Sequence, residues 1–379
     1  MRIWEWRDIE AWQFAQKFPQ FTQFIQEFPL SSLRNSYPKT RISIALLLAG
    51  ACTLAASAQA ADEAARDVSV HEKIVDTMTV LSNGPHAGFR ANHAKGIVLT
   101  GNFTPSAQAK TLSKAPHFLK STPVTVRFSN PTGIPTLPDA SPKASPHGIA
   151  IRFDLPGGGM TDIVSISHNG FPVATPEDFL LFLNSVAATK PDSPKPTPVE
   201  QFLASHPAAK KFVSTPKPAP VSFATLAFFG VNAFQFTNAK GESQYARYRI
   251  TPLAGMHALS DQQATASAPN YLMDELPQRI AKGPVQFRIS AQLAANGDNV
   301  NDGTAVWPDD RPQIELGVLS LKQLAPDSEA LEKKLAFNPL LLPDGIAPSA
   351  DPVLLSRPIA YAVSLGRRLS DPSAKQAAK

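Results

Sequence analysis

TPVTVRFSN, residues 122–130, alternates strictly: Val124, Val126 and Phe128 fall on one face of an extended strand, and Thr125, Arg127 and Ser129 on the other. Such alternation marks a half-buried β-strand. Runs of the same kind lie around it, GIVLTGNFT (96–104), HGIAIRFDL (147–155) and MTDIVSIS (160–167), each bounded by Pro, Gly, Ser or Asp. Later runs are FQFTNAKGESQYARYRITPL (234–253), VQFRISAQL (285–293) and IELGVLSL (314–321). The first of these reads as two strands around Asn238-Ala239-Lys240-Gly241, a hairpin turn with Gly where a positive φ is needed. About eight strands without regular intervening helices predict an α+β fold whose antiparallel eight-stranded sheet closes into a β-barrel with flanking helices.

The helices are expected in three places. The chain opens helically after Asp62 and changes character at Gly84-Pro85. Residues 176–230 carry EDFLLFLNSVAA and PVEQFLASHPAAKKFV, a helical insertion broken by proline clusters such as 190–196. ADPVLLSRPIAYAVSLGRRLS (350–370) is the last helix. A proline is tolerated in the first helical turn, so Pro358 sets the expected start near Leu355–Ser356.

Composition closes off several classes. The 379 residues hold one Cys, which excludes a disulfide scaffold and a Cys-ligated zinc or iron–sulfur site. The net charge of +5 is modest and interspersed, so no nucleic-acid partner is expected. The 36 prolines imply long connections and broken helices.

Residues 42–60, ISIALLLAGACTLAASAQA, are a short apolar run preceded by Arg34, Lys39 and Arg41 and ending in Ala58-Gln59-Ala60. This pattern is a secretory signal with cleavage expected after Ala60, too short to span a membrane. A periplasmic or secreted location follows, without stable membrane association once the signal is cut. Cys52 lies inside the run, so the mature chain is thiol-free. Residues 1–40, with Trp4, Trp6 and Trp12, are either a long leading region or residues upstream of the true start, the second being preferred. The organisation expected is an N-terminal extension and signal over 1–60, one domain over 61–370 and a disordered tail over 371–379.

Two groups of residues carry chemistry. On the last helix, Arg357, Tyr361 and Arg368 fall at i, i+4 and i+11, with Ser364 and Leu365 between, in one stripe. A guanidinium within reach of a phenol stabilises the phenolate, a hard anionic ligand suited to ferric iron. Solvated arginines on an ordinary amphipathic helix would give the same spacing. Near the first strands, FRANHAKG (89–96) places Arg90 three residues before His93. Arg127 and Ser129 share a strand face, one able to meet a carboxylate and the other to orient an imidazole.

These motifs, with FPVATPEDFLLFL (171–183) and SRPIAYAVSLGRRL (356–369), resemble in sequence and order the haem catalases, and most of all their shorter secreted relatives, the catalase-related peroxidases. The resemblance covers about residues 65–370. It implies a catalase-like barrel enclosing haem b, with His93 as distal catalytic histidine, Ser129 as its hydrogen-bond partner and Tyr361 as axial ligand held by Arg357. It also implies that Arg90, Arg127 and Arg368 pair with the haem propionates and that Phe179 packs on the distal face. The implied partners are hydrogen peroxide or an organic hydroperoxide and an organic reductant, in a monomer or small homo-oligomer.

One departure separates the chain from true catalases: where the family pattern has Gly-Asn-Asn, this sequence has Ser165-Ile166-Ser167, and Asn169 is out of register. The distal asparagine favours the peroxide-oxidising step, so its absence points to a peroxidase. The alternatives are a weak catalase, a non-enzymatic periplasmic haem-binding protein, and a barrel that holds an apolar ligand without haem.

Overall fold

The computed structural model describes residues 70–370; the leader, its cleavage position and the 371–379 tail lie outside the described residues. The strands are β1 (Gly96–Pro105), β2 (Thr122–Ser129), β3 (Gly148–Asp154), β4 (Met160–Ile166) and β5 (Phe228–Phe229). β6 (Phe234–Thr237), β7 (Ser243–Pro252), β8 (Val285–Leu293), β9 (Gln313–Leu324) and β10 (Ile346–Pro348) follow. Every pairing is antiparallel, and neighbours run β1–β2–β3–β4–β5–β7–β8–β9 and back to β1. Eight strands therefore close a barrel. β6 pairs on β7, and β10 on β6, as a short extension. The β6–β7 hairpin turns where the sequence places it, with Gly241 at φ +83°.

The two faces of β2 separate as the alternation requires. Register sets Val124, Val126 and Phe128 beside Leu99 and Ile97 of β1 and beside Phe153, Ile151 and Ile149 of β3, and all of these are buried. Phe128 stacks on Phe223, with ring centroids 5.2 Å apart, and lies 5.8 and 5.9 Å from Phe228 and Phe287. The interior is filled with side chains, as an eight-stranded barrel's usually is.

Helices cover the outer face. The insertion forms Pro176–Ala188, Pro198–Ser205 and Pro207–Ser214, each opened by a proline, the first two capped by Thr175 and Thr197. Helix Ser328–Lys334 lies on β1, and the C-terminal helix touches both it and Pro176–Ala188. A further helix spans residues 70–81. Among the described residues no helix is long and apolar enough to cross a membrane.

The start of the C-terminal helix is corrected. It runs Pro352–Ser370, with Pro358 inside it. Asp351 Oδ1 accepts from the N–H groups of Val353 and Leu354 at 2.9 and 3.2 Å, so an aspartate cap followed by proline begins the helix a turn earlier than Pro358 suggested. Pro358 forfeits one backbone bond, and the buried Val353 and Leu354 anchor the turn before it.

Phe128→Ala removes the ring at the centre of the aromatic block, and urea denaturation of the variant is expected to show a loss of about 3–5 kcal/mol.

Candidate functional site

The polar face of β2 points out of the barrel, beneath the helices. His93, just before β1, has φ +55°, a left-handed conformation uncommon outside glycine. Arg127 Nη2 donates to the His93 carbonyl at 2.7 Å, and Ala94 N donates to Thr132 O at 2.9 Å, so the turn is held on both sides. The imidazole Nδ1 lies 3.0 Å from Ser129 Oγ. Gly148 sits opposite Ser129 in register, and a Cβ there would stand 2.9 Å from both His93 Cε1 and Ser129 Oγ. Only glycine leaves room for this pair.

The His93 ring is enclosed by protein yet keeps some accessible surface, as a group lining an internal cleft does. Burial, followed by the charges of Arg127 and Arg90 and smaller effects of His147 and Arg357, pushes it down to about 3. It is therefore a neutral base at neutral pH. That Arg357 acts on it electrostatically means the C-terminal helix approaches the same space. A contact of 3.4 Å from Ala91 N to Ser364 Oγ joins the two segments directly.

On that helix the predicted i, i+4 pair is formed: Arg357 Nε donates to Tyr361 Oη at 3.1 Å. Arg357 Nη1 donates to Asn232 Oδ1 at 2.8 Å, and Asn232 Nδ2 donates to Asp351 Oδ2 at 2.8 Å. Asp351, fully buried, thus both caps the helix and ends a chain that fixes the guanidinium; burial pushes its carboxyl up. Sequence reading missed Asn232 and Asp351. The Asp-Pro pair before the helix is a readable cap signal, whereas nothing local marks Asn232.

Arg90, Arg127 and Arg368 converge on the segment 332–335, whose Glu332 the sequence did not single out. Arg127 Nε donates to both Glu332 oxygens at 2.8 and 2.7 Å, and Arg90 Nη1 to Glu332 Oε2 at 2.8 Å. Arg90 also donates to the Glu332 and Leu335 carbonyls, and Arg368 to those of Lys333 and Leu335 at 2.7 and 3.2 Å. The carbonyl-rich C-terminal end of helix Ser328–Lys334 thus faces the guanidiniums, a favourable alignment with the helix dipole. Burial, and next the charge of Arg127, pushes Arg90 well below its ordinary value and Arg368 down to about 10. Guanidinium stays protonated under such pressure, so the site holds buried positive charge.

Phe179 lies on helix Pro176–Ala188, its ring 5.3 Å from that of Phe171. An open cleft of about 540 Å³, lined in part by Phe89, Arg90, Ser364 and Arg368, reaches this region from outside. Ser167, the last residue of the Ser165-Ile166-Ser167 stretch, accepts from His147 N at 2.9 Å through its hydroxyl. His147 itself is buried, with Nδ1 2.9 Å from Asn130 Oδ1.

The catalase family model matches residues 80–376. The chain belongs to the catalase family. It is 34% identical over 293 residues to a catalase-related peroxidase of Synechococcus elongatus, covering 75% of this chain and 85% of that one. A catalase-related peroxidase of Mycolicibacterium paratuberculosis is 33% identical over 291 residues, 76% of this chain and 91% of the relative. A catalase of Pseudomonas syringae pv. syringae is 30% identical over 292 residues, 72% of this chain and 56% of the longer enzyme.

Catalase-family proteins carry haem, and the residues present fit it. Glu332 supplies one carboxylate to the cluster of Arg90, Arg127 and Arg368, and a dicarboxylate porphyrin would supply two more. Gly96 and Gly148 on the outer barrel face let the Arg127 guanidinium and the His93–Ser129 pair lie close against the strands, turned toward the covering segments. Residues 356–361 of the C-terminal helix are neither buried nor fully exposed, as the wall of a cleft would be.

His93, His117 and His147 set a pH dependence. Each has an ordinary value of 6.5, pushed by burial to about 3, 3 and 4. Because the unfolded chain binds these protons first, stability is full above about 6.5 and falls as pH drops toward 4. The slope approaches about 1.4 kcal/mol per pH unit for each group. Urea titrations between pH 7 and pH 5 should show this loss, and His117→Leu should flatten it.

Proposed function

We propose that this catalase-family protein is a haem peroxidase that reduces hydrogen peroxide or an organic hydroperoxide at the expense of an organic electron donor. One observation carries the reading. A neutral imidazole tied to a serine stands with three arginines on the outer side of the barrel, and the helix that carries a phenol tied to a guanidinium meets the same segment at Ala91. Bound haem supplies the redox centre from which peroxide takes its electrons.

The chain's own residues do the rest. Tyr361 would bind the haem iron through its phenolic oxygen, to which Arg357, fixed by Asn232 and Asp351, donates. His93 takes the peroxide proton at Nε2 and returns it to the departing oxygen. For Nε2 to accept, Nδ1 carries the ring hydrogen and donates to Ser129 Oγ. Arg90, Arg127 and Arg368 would hold the propionates, and Phe179, backed by Phe171, would pack on the porphyrin. The open cleft beside Arg90 and Arg368 gives an organic donor a way in.

The peroxidase reading is favoured over a catalase because Ser165-Ile166-Ser167 stands where the family pattern has Gly-Asn-Asn, and the Ser167 hydroxyl is engaged with the His147 backbone. Donor-free oxygen release from hydrogen peroxide would argue for catalase instead.

Tyr361→Ala is expected to lose the haem Soret band. His93→Ala is expected to keep haem and lose about 10²–10⁴ in donor oxidation. Normal haem in the first variant would overturn the ligand assignment, and wild-type activity in the second would make the protein a carrier.

A further inference from the structure

We propose that Glu332 is a positioning residue: its carboxylate is the resident counter-ion that orients the cofactor-clamping arginines and, through Arg127, the distal histidine. The inference rests on the haem peroxidase reading of this site.

Three observations carry it. Glu332 bridges Arg127 and Arg90 with contacts of 2.7 to 2.8 Å, and the side chains are only 15%, 4% and 14% exposed respectively, so solvent screens the pairs weakly. Arg127 uses a different edge, Nη2, on the carbonyl of His93, whose φ is +55°. The guanidinium is thus held in place by Glu332 on one side and holds the strained His93 turn on the other. Gly96 lies beneath it, where a Cβ would stand 2.4 Å from Arg127 Nη2, so the guanidinium lies flat on the strand with little freedom of its own.

The segment carrying Glu332 is itself tied to the barrel. Ser328 Oγ accepts from Val98 N at 3.1 Å at one end. At the other end, Asn338 N donates to Asp162 Oδ2 at 2.8 Å, and Arg152 bridges Asp162 and the Ala336 carbonyl. Between these anchors the carboxylate has one destination.

Charge gives the reason for a fixed carboxylate here. Among the described residues, Glu332 is the acidic group acting on Arg90 and Arg368. Three guanidiniums less one carboxylate leave two positive charges, which match the two propionates of haem. Without Glu332 the loaded site would keep an unbalanced buried charge, a costly arrangement. Its carboxylate also holds Arg90 and Arg127 together, while the Lys333 and Leu335 carbonyls hold Arg368 beside them.

The test compares wild type, Glu332→Gln and Glu332→Asp, each loaded with haem. Glu332→Gln keeps the shape and removes the charge. It is expected to bind haem, to shift the ferric/ferrous potential positive because a nearby negative charge is gone, and to react with hydrogen peroxide at least tenfold more slowly as His93 loses its support. Glu332→Asp restores the charge, so its potential should return toward wild type, with partial recovery of rate. In the haem-free state Glu332→Gln should melt at a lower temperature than wild type. A Glu332→Gln protein with wild-type potential and peroxide rate overturns the proposal and leaves the peroxidase reading standing, as does a Glu332→Asp protein that behaves as Glu332→Gln. A wild type that takes up no haem sinks the peroxidase reading itself, and this proposal with it.

Discussion

Arg127 is the residue on which the rest depends. The period of two along β2 sends Val126 and Phe128 into the barrel and forces Arg127 outward, where its guanidinium meets Glu332 at 2.7 Å and the His93 carbonyl at 2.7 Å. A single strand thereby joins the aromatic core to the chemistry. A one-residue slip of β2 would exchange the faces, burying the cation in a block of phenylalanines and ejecting Phe128. The packing of Phe128 on Phe223, Phe228 and Phe287 therefore fixes the register that the site requires.

The site divides between a barrel wall and a cover. The barrel supplies Ser129, Arg127 and the small residues Gly96 and Gly148, while the covering segments supply His93, Glu332, Arg357 and Tyr361. Each of the covering side chains is fixed by a hydrogen-bonded partner: Ser129 for His93, Arg127 for Glu332, Asn232 for Arg357, and Arg357 for Tyr361. Such support is what holds acid–base and ligand groups within productive reach. The neutrality of His93 follows from the same arrangement, since burial and the cations around it oppose its protonation.

Much of this was legible in the sequence, and the parts that were not share a cause. Strand alternation exposed the barrel and the shared face of Arg127 and Ser129, and helical spacing exposed the Arg357–Tyr361 pair, because both are local periodicities. Glu332 lies 205 residues from Arg127 and Asn232 lies 125 from Arg357, so their partnerships are made by closure of the fold and leave no local pattern. The helix start was misplaced because Pro358 was weighed above the cap at Asp351. β5 and β10, two and three residues long, are too short to alternate visibly.

The central claim is that a buried, arginine-rich cleft on the outside of a filled barrel holds one haem through Tyr361. Titrating the purified protein with ferric haem while recording its absorption spectrum tests this most directly. Saturation at one haem per chain, with the high-spin ferric spectrum of a tyrosinate-ligated iron, is the predicted result. Binding without saturation, or a low-spin histidine-ligated spectrum, would contradict it.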